Sequence, residues 1–449
     1  MKRISICLLA IVLSANFAIA QENNNEDQSF FGFKAGISLG TDVLMDRNHN
    51  PVTWNSLGFK PDLAFGPFGV GLDLSIRFKL MPDRDTAIEV FPGDWVPNYE
   101  DSGKSFLDLY LPKIMYVRYG QRGEPLFVKL GSIDDLTLGN GFVMGNYSNT
   151  RFLPEQRVFG LNLGIDGALF NFPYVGIEML TGNLAKLDVF GTRMFVRPLV
   201  STGLAILEDL QFGATLAVDR GIEGYSTEAF DPVFISAADL ALPIIKSGSF
   251  PLAVFSEVAF EPNKRSGFML GAAGQLARIF SYGAQLRLLG AGFLPNYFDA
   301  NYDIFRKEKA DLLSTEASGE GMAGWLAMFG TSLFEEKVLF RLSLDGPFKE
   351  KPVSSSNNYA DYPHFRGVFA LEEGILGGFF FNAFYDKYYL GRENLFFRDL
   401  INPENAIIGA SFNYKTGAAV FTLLYSLKYN PDNPSGFDVT SSLQTTIKF

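Results

Sequence analysis

The chain has 449 residues, a formal net charge of −11 and an apolar fraction of 47%, with 45 Phe, two His and one Cys. The acidic balance argues against nucleic acid as a partner. The lone Cys7 lies in the first twenty residues, so once they are removed disulfides, thiol catalysis and cysteine zinc sites are excluded.

Residues 1–20 read as a cleaved secretory signal: Met1-Lys2-Arg3, an apolar run from Ile4 to Phe17, then Ala18-Ile19-Ala20. Loss of Lys2 and Arg3 takes the net charge from −11 to −13. Residues 21–29 form a short acidic tail, expected in the periplasm. The first alternating segment follows at once, which leaves no room for an N-terminal plug or periplasmic repeats. No later run reaches the roughly 18 apolar residues of a membrane helix. Phe is nevertheless about a tenth of the chain and is spread along alternating segments. Lipid-facing strands and aromatic girdles account for that pattern. A secreted β-sandwich or β-solenoid accounts for it less well.

Turn residues divide the remainder, 30–449, into strands near 30–41, 53–65, 69–80, 106–119, 125–133, 157–170, 174–181, 187–199, 209–219, 231–242, 251–260, 267–277, 281–291, 319–331, 336–345, 364–373, 376–388, 405–414, 418–429 and 437–449. The count is 20, within a range of 16 to 20. Even-numbered connections such as Gly66-Pro67-Phe68-Gly69 and Tyr414-Lys415-Thr416-Gly417 are tight. The five longest, roughly 81–105, 134–156, 292–318, 346–363 and 389–404, are all odd-numbered. Long loops outside and short turns inside are what an even-stranded barrel with both termini in the periplasm requires.

The last segment makes the address specific. From Phe437 the apolar positions are Phe437, Val439, Leu443, Ile447 and Phe449. Asp438, Thr440, Ser442, Gln444, Thr446 and Lys448 alternate with them. This strand resembles the closing strand of bacterial outer-membrane β-barrels of porin-like type. The resemblance implies an all-β fold: a single transmembrane antiparallel up-and-down barrel in the outer membrane of a diderm bacterium. It also implies that Phe449 and Ile447 act as the assembly signal for the barrel-assembly machinery, with outer-membrane lipid as the surrounding partner.

Alternation assigns the faces. Along 69–80, Val70, Leu72, Leu74, Ile76, Phe78 and Leu80 face lipid, whereas Asp73, Ser75, Arg77 and Lys79 face the lumen. An Arg or Lys at mid-bilayer on the lipid side costs roughly 2–4 kcal/mol, so charged faces point inward. The lumen candidates for selectivity are Asp73, Arg77, Lys79, Arg193, Arg197, Arg287, Arg341 and Arg366. The competing reading of each is a cross-strand ion pair that only braces the wall. The loop from Asp134 to Gln156 is Gly/Asn-rich yet half apolar. It is read as a constriction loop, with Leu136, Leu138, Phe142 and Met144 turned into the barrel; packing over the rim is the alternative. Loop 81–104 is acidic, with Asp83, Asp85, Glu89, Asp94, Glu100 and Asp101.

Chemical motifs give little. Gly36-Ile37-Ser38-Leu39-Gly40 matches a hydrolase elbow, but it continues the alternation of the first strand. Gly139-Asn140-Gly141 lacks the context of a dinucleotide fingerprint. Asp134-Asp135 and Asn430–Pro434 match no defined calcium site. The expectation is therefore a non-enzymatic channel without cofactor or metal, passing small solutes through a polar, mixed-charge lumen. A transporter of hydrophobic molecules and a non-conducting structural or adhesive barrel are the alternatives. A homo-oligomeric state is left open.

Overall fold

The computed structural model describes residues 31–449 apart from 46–49, 81–87, 100–103, 154, 205, 224–227, 318, 335–336, 350–357, 393–394, 431–432 and 434. The signal at 1–20, the tail at 21–29, His49, and Asp83, Asp85, Glu100 and Asp101 of the acidic loop lie outside the described residues. So does most of the Pro431–Pro434 run.

The main sheet holds 22 hydrogen-bonded segments; two are halves of one interrupted strand and one is a short flap, leaving 20 long strands. They are β1 Phe31–Met45, β2 Pro51–Phe65, β3 Phe68–Leu72 continuing as Leu74–Leu80, β4 Ile114–Tyr119, β5 Leu126–Gly131, β6 Gly160–Asp166 and β7 Val175–Thr181. Next come β8 Val189–Val196, β9 Gln211–Asp219, β10 Val233–Ile245, β11 Leu252–Glu261, β12 Arg265–Leu276 and β13 Phe280–Leu289. The circuit ends with β14 Met322–Leu333, β15 Val338–Pro347, β16 His364–Leu376, β17 Phe379–Lys387, β18 Ala406–Thr416, β19 Ala419–Tyr429 and β20 Phe437–Lys448. Each pairs antiparallel with its sequence neighbours. The seam closes where β20 pairs with β1, from Gly36↔Lys448 to Val43↔Ser441. Beyond it Ala35 and Phe449 exchange backbone hydrogen bonds of 3.0 and 2.9 Å.

Two expected strands are shorter than the alternation suggested. The fourth begins at Ile114, because residues Phe106–Tyr110 form a short helix, α1. Its N-terminus is fixed by a Ser105/Asp108 capping box, which satisfies the first N–H groups better than a ladder would. The sixth ends at Asp166, which caps a 3-10 turn through Gly167–Phe170. Asp73 breaks β3, and there the register against β4 shifts between Gly71 and Leu72.

Tight hairpins sit on one rim. Gly66, Gly377 and Gly417 take left-handed φ values of 55°, 60° and 58°, the conformation such turns need. The five longest connections leave from the other rim, and the longest link on the hairpin rim is 197–210, between β8 and β9. Exposed side chains on the outward positions are apolar, among them Phe33, Ile37, Leu39, Phe59, Leu63, Leu216, Phe234, Leu286, Leu288, Phe412 and Leu423. Aromatic stacks such as Phe379–Tyr414–Phe421 ring the short-turn rim. A closed, even-numbered barrel of one chain with an apolar outside leaves no backbone edge for lipid and is the architecture of the bacterial outer membrane. The chain is such a barrel. Among the described residues no helix is long and apolar enough to cross a membrane.

Candidate functional site: the lumen

Inward positions divide the wall into two halves. On β9 to β12 they are mostly small or apolar: Gly213, Thr215, Ala217, Ile235, Ala237, Ala253, Phe255, Ala259, Gly267, Met269, Gly271 and Ala273. Such a concave apolar surface must be covered, and the loop between β5 and β6 covers it. Its Leu136, Leu138, Phe142, Val143, Met144 and Tyr147 are buried in one cluster with Ile235, Ala237, Phe255 and Met269. Burying each large side chain contributes roughly 1.5–3 kcal/mol. Leu138 sits over Gly191 of β8, where an added Cβ would come within 2.8 Å of Leu138 Cδ1. The loop tip at Gly139 has φ +59, and a Cβ there would lie 3.1 Å from Asp239 Oδ2. Glu257 on β11 accepts the Asn140 N–H at 3.0 Å, and the Asn140 amide donates to the Ser256 carbonyl at 3.0 Å.

A second loop, between β13 and β14, lies on the first. Asn296 N–H donates to the Phe142 carbonyl at 2.7 Å, Phe298 N–H to Val143 at 3.0 Å, and Phe142 stacks on Phe293 at 5.1 Å. This loop carries helix α2, Tyr302–Ser314. Arg306 of α2 pairs with Asp219 at 2.7 Å and Asp188 at 3.0 Å, and Tyr302 donates to Asp219 at 2.7 Å. Lys309 pairs with Asp299 at 2.8 Å. From the short-turn rim, Arg122 reaches the Asp135 and Thr137 carbonyls at 3.3 and 3.1 Å. The first loop is thus held from wall, mouth and base. Burial first, with the charges of Asp188 and Asp219, holds the Asp303 carboxyl up at about 7, against the lowering pull of Arg306 and of the Tyr147 hydroxyl at 3.0 Å.

The other half of the wall is polar. Inward positions there include Arg341, Asp345, His364, Arg366, Asn382, Asp386, Asn413, Thr422, Lys428, Gln444, Asp42, Lys60, Arg77 and Arg118. The exposed polar surface of the lumen lies on this side because the inserted loops occupy the other, where the inward Asp219, Asp239 and Glu257 are buried.

The candidate residues fall as follows. Asp73 pairs with Arg157 at 3.1 Å. Arg77 Nε donates to Asp94 at 2.9 Å, and Lys79 lies 4.1 Å from the Trp54 ring centre. Arg193 is buried between Asp239 at 2.7 Å and Glu178 at 3.2 Å. Arg197 lies just past β8, paired with Asp166. Arg287 pairs with Asp345 at 3.0 Å, and Arg366 with Asp386 at 2.6 Å. Arg341 and Arg366 lie within electrostatic reach of Asp135 on the inserted loop. The structure thus brings Arg287, Arg341 and Arg366 together on β13, β15 and β16, and it separates Arg193 and Asp73 from them. Leu136, Leu138, Phe142 and Met144 are buried inside the barrel at 0–2% exposure.

Sequence reasoning missed the two anchoring networks, Glu257 with Asn140 and Arg306 with Asp188 and Asp219. The run of Gly and Ala at inward positions of β9 to β12 was the available signal, since such a wall cannot face water unfilled. Ser38 sits in mid-strand on β1, not at a strand-to-helix turn. His364 has both ring nitrogens against carboxylates, Asp345 at 3.2 Å and Asp386. Among the described residues no group of His, Cys, Asp and Glu could hold a metal ion.

No protein-family model and no curated protein matches the chain. Solved structures with a similar course are outer-membrane barrels. CdiB from Acinetobacter baumannii aligns over 93% of this chain but only 60% of its own, with 8% identity and a TM-score of 0.29. Wzi of Escherichia coli, described as a carbohydrate-binding β-barrel involved in group 1 capsule assembly, aligns over 93% and 84% with 11% identity and a TM-score of 0.38. OccK11 (OpdR) of Pseudomonas aeruginosa aligns over 93% and 96% with 9% identity and a TM-score of 0.37. At these scores no residue or activity is carried over from them.

Proposed function

We propose that the protein is a porin-like channel in which small solutes diffuse down the polar half of the lumen. The observation that carries this reading is the partly exposed charged wall facing the inserted loop. Arg366, Asp345 and Lys129 keep side-chain exposures of 14%, 21% and 22% inside a barrel whose other wall is sealed. In this reading Leu136, Leu138, Phe142 and Met144 do not line the path; they seat the loop that narrows it. Arg341 and Arg366 face Asp135 across the narrowing and supply the field a solute crosses. Asp73, Arg77, Lys79, Arg193, Arg197 and Arg287 brace the wall through their pairs. No catalytic group is assigned, and no cofactor is invoked.

The buried cluster that joins the two loops favours a second reading, a barrel closed at its outer mouth. Purified protein in planar bilayers decides between them. Steady ohmic single-channel steps support the channel. Absence of conductance in protein whose heat-modifiable mobility shows a folded barrel would support the closed, structural reading. Conductance would also count against a dedicated transporter of hydrophobic molecules, which needs an apolar pocket where the loop now sits.

A further inference from the structure

Helix α3, Phe396–Ile401, follows β17 in the long outer connection to β18. Two side chains of β17 show which side of the wall it occupies. Tyr385 donates to the Leu400 carbonyl at 2.7 Å, and Lys387 donates to Asp399 at 3.1 Å and to the Glu404 carbonyl. Tyr385 and Lys387 share the face of β17 that carries Phe381, which stacks with Phe369 and the half-exposed Phe412 in the lipid-facing set. Phe384 and Asp386 point the other way: Phe384 lies under Arg151 of the inserted loop, and Asp386 pairs with His364 and Arg366. The helix therefore folds outward over the barrel, at the outer end of the lipid-facing wall.

Its polarity is reversed relative to a helix packed in water. Asp399 is buried against Lys387 and also accepts the Gly391 N–H at 2.9 Å. Lys387, an outward-pointing charge on the membrane wall, is itself completely buried beneath the helix. The side turned away from the barrel carries Leu395, Phe397 and Ile401, at 84%, 81% and 82% the most exposed large apolar side chains among the described residues. Arg398, also exposed, stands beside them. Water offers no reason to hide the charges and present the aromatics, whereas hydrocarbon does.

We propose that α3 lies in the outer-leaflet interface, with Leu395, Phe397 and Ile401 in the hydrocarbon and Arg398 reaching back to the headgroups. The occupant of this face is lipid, because the surface continues the lipid-facing wall through Tyr385 and Lys387. The helix anchors one side of the outer mouth, beside the polar half of the lumen, and screens Lys387 from the bilayer. None of this depends on whether the barrel conducts.

Nitroxide labels test it. In a Cys7→Ser background, Phe397→Cys and Ile401→Cys are labelled and the protein is reconstituted into phosphatidylethanolamine/phosphatidylglycerol vesicles. Leu423→Cys on the lipid wall and Ser435→Cys in an outer turn serve as references. Collision with oxygen and with a neutral nickel chelate is then measured. Labels at 397 and 401 are expected to behave as at 423, with oxygen access at least severalfold above nickel access. Nickel access equal to that at 435 overturns the proposal. Nickel access in vesicles combined with protection in native outer membranes also overturns it, in favour of a protein partner or a second copy of the chain.

Discussion

The wall over β9 to β12 and the wall over β15 to β20 are built from the same alternating pattern, yet their inner faces differ. The first presents Ala237, Ala253, Ala259, Gly267, Gly271 and Ala273, and loops fill the space those small side chains leave. The second presents Arg341, Asp345, Arg366, Asp386, Lys428 and Gln444; Arg366 pairs with Asp386 in the plane of the wall and Asp345 with Arg287 of β13, whereas Arg341 faces Asp135 of the inserted loop. In a barrel too wide for side chains to span, residue size on the inner face decides where a loop docks, and charge decides where solvent stays.

The largest effect should come from the filled half. Phe142 is 1% exposed and stacked on Phe293, so Phe142→Ala removes about 3–5 kcal/mol from loop docking. Larger, noisier single-channel steps and faster proteolysis near 136–147 are expected. Unchanged conductance would mean the loop does not set the bore. Phe449→Asp is the corresponding break at the seam: it puts a charge beside Ala35 where β20 meets β1. The yield of folded, heat-modifiable protein in the outer membrane should fall severalfold, with little effect on the conductance of the molecules that do fold.

On the polar half, Arg341→Gln removes one positive charge. At 4 Å in water a unit charge is worth about 1 kcal/mol, or about fivefold in relative ion permeability. The reversal potential in a salt gradient should shift toward cation preference. The matching change on the filled half, Arg193→Gln, should leave it unmoved but lower thermal stability by about 3 kcal/mol or more, because Asp239 is left buried without its partner.

The smallest effect concerns pH. An acid whose folded-state pKa is raised stabilises the fold at low pH, and that contribution falls as pH rises from about 4 toward the folded value. Asp303, pushed up to about 7 by burial, should make the docked loops more mobile at pH 8 than at pH 5, as read from hydrogen exchange of Met144 and Tyr147. Asp303→Asn should flatten that dependence.

The strands were legible because Val70, Leu72, Leu74, Ile76 and Phe78 alternate with Gly71, Asp73, Ser75, Arg77 and Lys79 at the period a sheet imposes. Connection parity was legible because Gly66, Gly377 and Gly417 mark two-residue turns. The unusual composition of the loop after Gly131 pointed inward for the same reason: Leu136, Phe142 and Met144 have no use in water. What it docks on was harder to read, since Glu257 and Asn140 are 117 residues apart and meet only through closure. Helix α1 was read as strand because Phe106 and Leu107 fit both periods, and the Ser105–Asp108 box that decides the matter is a local hydrogen-bond detail. Helix α3 gave no sign, because residues 389–404 read only as a long connection and six residues are too few for a helical period to show.

The seam between β1 and β20 has a consequence for the order of assembly. Ser442 hydrogen-bonds Asp42 across 400 residues of chain. Closing a loop of that length costs about 3 kcal/mol more than closing a 20-residue hairpin. Hairpins therefore form first and zip outward from local turns, and the first strand keeps an unsatisfied edge until the final twelve residues arrive. For all that time the edge of β1 is a template for any other strand. A barrel of this kind is open to mispairing along β1 until β20 has closed on it.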